Sequence, residues 1–234
     1  MLALAPSRFD RPPMGEDLAR QMAGEIIRLR LAPGTKLVET EVCAQRGVSR
    51  SPLREALRLL EFWSLVQRRP RFGVRVAPMS QANLDDLVTC RIPLEARAAA
   101  LVAGQPDHAA LAAALSAHLQ TMRGAAKAGD AEGCFAANLA FMDSLHAANP
   151  NPVLGRLLAE LNMPAQRYRY LVYRYAPGML GRLMDANARL ADAIAAGDGP
   201  GALAVTEAMV LEAWQHLRPQ LPDYLARAAA EAAA

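Results

Sequence analysis

The chain has 234 residues, 53% of them hydrophobic, and a net charge of only +3. That supplies a substantial core, but there is no run of about 18 uncharged apolar residues to span a bilayer and no basic-then-apolar leader at the amino terminus. Three scattered cysteines, Cys43, Cys90 and Cys134, argue against a disulfide framework and for reduced, mostly buried thiols in a cytoplasmic protein.

The charge is unevenly spread. Residues 1–77 hold 14 Lys and Arg against 8 Asp and Glu, a net +6, and residues 78–234 hold 12 against 15, a net −3. A basic first third suggests a polyanion partner for that part alone. In chain order, Pro6, Pro12 and Pro13 mark a loose arm. Leu18, Met22, Ile26 and Leu29 then recur on one helical face, up to Ala32-Pro33-Gly34. A short second helix is expected over about Glu39 to Arg46, with a tight turn at Gly47. A third runs from about Ser51 to Phe62, with Pro52 at its first position and Leu53, Ala56, Leu57 and Leu60 facing inward. Leu65-Val66 and Val74 to Val76 read as two short strands joined by a hairpin over Arg68 to Gly73, where Gly73 is free to take a positive φ.

Pro78-Met79-Ser80 reads as a boundary, and everything after it reads as helix. Ser80, Asp107 and Asn151 are the expected N-caps, and Gly104, Gly129, Gly178 and residues 197–201 the expected breaks. Pro93 is expected to interrupt a helix. The fold class is therefore mostly α. A winged helix-turn-helix of three helices and a two-stranded wing occupies residues 1–77, and an all-helical bundle occupies residues 78–234.

The chemistry concentrates in the first part. Arg50, Arg54 and Arg58 are spaced i, i+4, i+8 and share the face opposite the leucines. Arg50 and Arg54 lie at the amino-terminal end of the third helix, the end that enters a major groove. The planar guanidinium fork matches guanine O6 and N7. Ser49 and Ser51 offer hydroxyls to phosphate, next to the free N–H groups of a helix start. The hairpin adds Arg68, Arg69, Arg71 and Arg75.

The run PGTKLVETEVCAQRGVSRSPLREALRLLEFWSLVQRRPRFGVRV resembles the signature of GntR-family regulators, most strongly in VSRSPLREAL. The rest resembles, more loosely, the all-helical FCD effector domain of the FadR-type branch, through Arg91 with Glu95, FMDSLHAANPNPVL and AIAAGD. The resemblance implies that Arg50 and Arg54 contact operator bases. It also implies that Ser49 and Ser51 contact the backbone and that the wing around Gly73 enters the minor groove. Thr40 stands where some relatives carry a base-contacting arginine. The DNA-binding set is thus Thr40, Ser49, Arg50, Ser51, Arg54, Arg58, Arg69, Arg71 and Gly73.

FCD domains often hold a divalent metal with an Asp and three histidines. Counting along the resemblance, those positions are here Asn138, Met142, Asn187 and Met209. Amide and thioether are poor ligands for a borderline divalent ion, so no metal and no cofactor are expected. With Arg91, these four residues form the expected effector site. Arg91 either anchors a carboxylate or pairs with Glu95 at i+4. His146, four residues past Met142, either faces the same cavity or is an ordinary polar or surface histidine. The tyrosines of QRYRYLVYRY either pack between helices or line the pocket.

The reading that follows is a repressor that binds palindromic operator DNA as a homodimer, without a membrane partner, and is modulated by a carboxylate metabolite. A constitutive regulator with a decayed pocket is the alternative. An enzyme is not expected, because no nucleophile–base constellation or phosphate loop stands out.

Overall fold

In the computed structural model, which describes residues 14–233, the first apolar repeat forms α1, Met14–Ile27. The arm expected over residues 1–12 lies outside the described residues. α1 stops well before Pro33. Leu29 adopts a left-handed φ of 60°. The Arg30 N–H donates to the Glu25 carbonyl at 2.9 Å, and the Leu29 N–H to that of Ile26 at 3.2 Å. These two bonds satisfy carbonyls that the last turn would leave open. A leucine in that region costs roughly 1 kcal/mol, and burial of its side chain offsets this by about 2 kcal/mol. Leu29 therefore joins the core from beyond the helix end, not from within it.

α2, Glu39–Arg46, ends at Gly47, whose φ is 63°. α3, Arg50–Phe62, begins one residue earlier than expected, so Pro52 is its third residue. The N–H groups of the first turn have no intrahelical acceptor, and the proline still costs nothing there. Leu53, Ala56, Leu57 and Leu60 are buried where α3 packs on α1. β2, Val66–Arg69, and β3, Gly73–Val76, pair antiparallel with Val66 opposite Val76. The wing has a third strand that the sequence did not suggest. β1, Lys36–Leu37, pairs with the free edge of β3 in the order β1-β3-β2. Two residues cannot display an alternation, so only the backbone pairing reveals this strand.

The chain divides into two units, one through Pro78 and one from Met79. Within the described residues the second unit is all-helical: α4 Gln81–Ala103, α5 His108–Lys127, α6 Ala131–Ala147, α7 Pro152–Tyr175, α8 Pro177–Ala195 and α9 Gly199–Ala233. α4 packs along α9, α5 against α6 and α8, and α7 against α4, α6 and α9. Ser80 and Asn151 cap α4 and α7 through their side chains, at 3.1 Å to the Asn83 N–H and 3.0 Å to the Val153 N–H. Asp107 precedes α5 but makes no side-chain cap bond; Asp130 caps α6 instead. Gly178 lies inside α8, and the break falls at Ala176, before Pro177.

Pro93 does not break α4. The helix runs through it, losing one backbone bond while both halves stay packed on α9. Cys134 is buried, but Cys90 is exposed, against the expectation that the thiols are mostly buried. Among the described residues no helix is long and apolar enough to cross a membrane.

Candidate nucleic-acid interface and ligand cavity

All nine residues expected to meet DNA are solvent-exposed. Ser49 sits in extended conformation at the N-cap position of α3, and its side chain makes no cap bond. Its hydroxyl and the open N–H groups of the first turn therefore lie at the same solvent-facing end, a ready set of donors for phosphate. Arg50, Arg54 and Arg58 line the exposed face. Arg54 is held at Nε by the Glu39 carboxylate at 3.0 Å. That bond fixes the arm of Arg54 and leaves its two terminal nitrogens for a base edge. Thr40, next to Glu39 at the start of α2, is exposed.

The hairpin turns over residues 70–72, closed by a 3.0 Å bond from the Phe72 N–H to the Arg69 carbonyl. Arg71 has φ 67° and Gly73 φ 80°. The positive φ expected at Gly73 is present, and Arg71 shares it at the cost of strain. Two hairpin arginines are already engaged: Arg75 donates to the Gly34 carbonyl at 3.0 Å and Arg68 lies 3.5 Å from Glu61. Arg69 and Arg71 carry the reach of the wing. Phe72 stands 66% exposed beside them, a feature that the sequence reading passed over.

In the second unit, Arg91, Asn138, Met142, Asn187 and Met209 all line one cavity of about 630 Å³, mouth included. They arrive from four helices, α4, α6, α8 and α9. Leu84, Val88, Val172, Leu183, Trp214 and Leu217 make most of the remaining wall apolar. Tyr168 and Tyr173 line it too, whereas Tyr170 donates to Glu132 at 2.9 Å and Tyr175 packs on Tyr224. All four tyrosines are buried, so the segment divides between packing and pocket.

Of the two alternatives for Arg91, the pair with Glu95 at i+4 is the one formed. It lines the cavity, and its Nε and Nη2 donate to Glu95 Oε1 at 2.9 and 2.7 Å. Both residues are buried. Burial pushes the Glu95 carboxyl up, but the guanidiniums of Arg91 and Arg169 outweigh it and hold it below the ordinary range. Burial pulls His146 below its ordinary value, against the pull of Glu95. The imidazole is therefore neutral at pH 7, and its Nε2 has no partner. Arg169 is drawn down by burial and then by Arg91. Several buried polar atoms of the wall lack partners: Asn138 Oδ1, both amide atoms of Asn187, Glu95 Oε2 and Arg169 Nη1.

This donor set does not fit a divalent ion. The four counted positions present two amides and two thioethers, and the nearby carboxylate is committed to Arg91. Among the described residues no group of three or more His, Cys, Asp and Glu could hold a metal. The sequence reading missed Arg169 and Trp214 as wall residues, and left Tyr173 open between packing and pocket. The spacing of Arg169 and Tyr173, i and i+4 on α7, was the available signal.

Residues 15–76 match the family model described as bacterial regulatory proteins, gntR family, and residues 86–213 match the FCD domain model. Among curated proteins, an HTH-type transcriptional regulator of Bacillus subtilis (strain 168) is 35% identical over 101 residues, 43% of this chain and 45% of that one. The aligned part thus spans under half of that relative. A protein of Paenarthrobacter nicotinovorans named "Probable D-xylose utilization operon transcriptional repressor" is 28% identical over 82% of this chain and 83% of its own length. Among solved structures, E. coli McbR/YncC superposes with a TM-score of 0.76 at 21% identity, covering 90% of this chain and 100% of that one. A GntR transcriptional regulator from Rhodococcus sp. RHA1 gives 0.71 at 22%, covering 87% and 96%. At such identities the structural likeness speaks to fold.

Proposed function

The chain belongs to the GntR family of bacterial regulatory proteins, with a C-terminal FCD domain, and on that premise we propose that it is a cytoplasmic, non-enzymatic repressor. It binds a palindromic operator as a homodimer, and a small organic acid in the helical cavity sets its occupancy. The carrying observation is the exposed end of α3. There an uncapped Ser49, open N–H groups and the Arg50–Arg54–Arg58 face converge, with Arg54 pre-aimed by Glu39.

Each guanidinium fork reads a guanine edge in the major groove, while Ser49, Ser51, Arg69 and Arg71 hold phosphates and fix the register. Thr40, shorter than an arginine, reaches at most one neighbouring contact. Gly73 lets the wing backbone approach the minor groove. One such module makes few contacts; a two-fold dimer doubles them on an inverted repeat. Effector binding acts by favouring one of two dimer arrangements, through its different affinity for each.

The effector requires no metal, since the wall offers neither imidazole nor free carboxylate at the counted positions. A decayed pocket is the weaker reading. The unpartnered amides of Asn138 and Asn187 cost stability where they stand, and a cavity without a ligand gains by losing them.

The test is anisotropy of the full chain on operator and on random duplex across a salt series. A regulator of this kind binds operator at least about a thousandfold tighter and weakens steeply with salt. Equal affinity for both duplexes refutes the proposal.

A further inference from the structure

The cavity wall carries three charged side chains, and they are not equivalent. Arg91 and Glu95 neutralise each other through two hydrogen bonds to one carboxylate oxygen. Arg169 is left over. Its Nη1 is buried without a hydrogen-bond partner, and among the described residues it forms no ion pair. The wall therefore holds one uncompensated positive charge in surroundings that are otherwise largely apolar. A cation partly withdrawn from water without a counter-charge is costly, and an anionic ligand reduces that cost on entry.

The two asparagines refine the chemistry. Asn187 is 1% exposed, and both its amide nitrogen and oxygen are unpartnered; Asn138 is 5% exposed with an unpartnered oxygen. A ligand that satisfies these atoms must accept from Arg169 and from the Asn187 N–H. It must also donate to an amide oxygen. A carboxylate does the first but cannot do the second; a hydroxyl close to it can. The rest of the molecule meets Met142, Leu183, Met209, Trp214 and Leu217, with the Trp214 indole N–H already committed to Asp85 at 2.7 Å.

We propose that the cavity takes an amphipathic hydroxy-monocarboxylate, with its head group held by Arg169 and the amides of Asn138 and Asn187, and that Arg91 is a positioning residue for Glu95 and not the anchor. This assignment rests on the reading of the cavity as an effector site. A dianion is disfavoured because only one positive charge is free, and a neutral molecule leaves Arg169 unpaired. Among the groups acting on Arg169, Glu95 is engaged, the exposed Asp143 acts more weakly still, and Tyr173 stays neutral.

Calorimetric titration of the full chain with racemic 2-hydroxyoctanoate, with its uncharged counterpart 1,2-octanediol, and with the dianion suberate separates the possibilities. The carboxylate binds about tenfold or more tighter than the diol, the loss expected for one charged hydrogen bond, and suberate binds more weakly than the monoanion. Arg169→Met removes the preference for the carboxylate and leaves the diol unchanged; Arg169→Lys restores part of it. Circular dichroism confirms that each variant is folded. If Arg169→Met does not fold, the wild-type comparison and Arg169→Lys still decide. Equal binding of carboxylate and diol, or a preference that survives Arg169→Met, overturns the assignment while leaving a small-molecule cavity in place. Binding of none of the three overturns the assignment together with the effector reading.

Discussion

Replacing Asn187 with leucine is expected to make the ligand-free protein more stable and its ligand response weaker. Asn187 lies on α8, 1% exposed, with neither amide atom hydrogen-bonded. A buried amide without partners costs about 1–3 kcal/mol in proteins. Leucine removes that cost, and its extra volume has room, because the residue borders the cavity. A gain of about 1–3 kcal/mol corresponds to a rise in Tm of about 2–12 °C for a domain of this size. Scanning calorimetry of ligand-free wild type and Asn187→Leu reads this directly, and titration with 2-hydroxyoctanoate reads the accompanying loss of affinity. An unchanged or lower Tm shows that the amide already has a partner, such as a cavity water, and the reasoning from unsatisfied atoms fails.

Arg50→Ala and Arg54→Ala each weaken operator binding by about 1–3 kcal/mol and relax the base preference, measured by anisotropy on operator and single-base variants; parental affinity in both dismisses α3 as the reading helix. Glu39→Gln releases Arg54 Nε and removes a negative charge from the same face, so affinity for random duplex rises while the ratio of specific to non-specific affinity falls. Arg71→Gly relieves a φ of 67° on an exposed residue, raising stability by about 1 kcal/mol and reducing the salt slope of DNA binding by roughly one phosphate contact; an unchanged slope denies Arg71 a phosphate. His146 has a folded pKa below its ordinary 6.5, so the unfolded chain binds its proton first. The stability this confers is full above pH 6.5 and is lost as pH falls towards the folded value. Among its neighbours, Glu95 and Asp143 pull it up, and Arg169 and Arg91 push it down. A plot of Tm against pH over that window is flatter in His146→Gln than in wild type, and identical plots refute the effect.

The exposed arginine face of α3 was legible because its information is local. Arg50, Arg54 and Arg58 fall on one side of a helix and Leu53, Leu57 and Leu60 on the other, and a single period of 3.6 separates them. β1 was not legible, since Lys36-Leu37 is too short to show any period and becomes a strand only through β3. Nor was the early end of α1. It depends on Leu29 in a backbone region usually left to glycine, stabilised by burial that only the folded chain supplies. The cavity residues Asn138, Met142, Asn187 and Met209 are distant in sequence, and nothing but the family resemblance brought them together. Arg169 escaped notice because Arg167, Arg169 and Arg174 look alike in QRYRYLVYRY. Their fates differ by position on α7: Arg167 is buried and brought to a pKa of about 10 by burial, Arg169 faces the cavity, and Arg174 pairs with Glu231 at the surface.

Selection of duplexes from a random library with the full chain shows whether α3 binds an operator sequence-specifically. The expected outcome is enrichment of an inverted repeat whose half-sites carry guanines, with centres about 10 base pairs apart or a multiple of that, and loss of the enrichment with Arg50→Ala and Arg54→Ala combined. A library that gains no sequence preference over successive rounds, or one whose preference survives the double substitution, contradicts it.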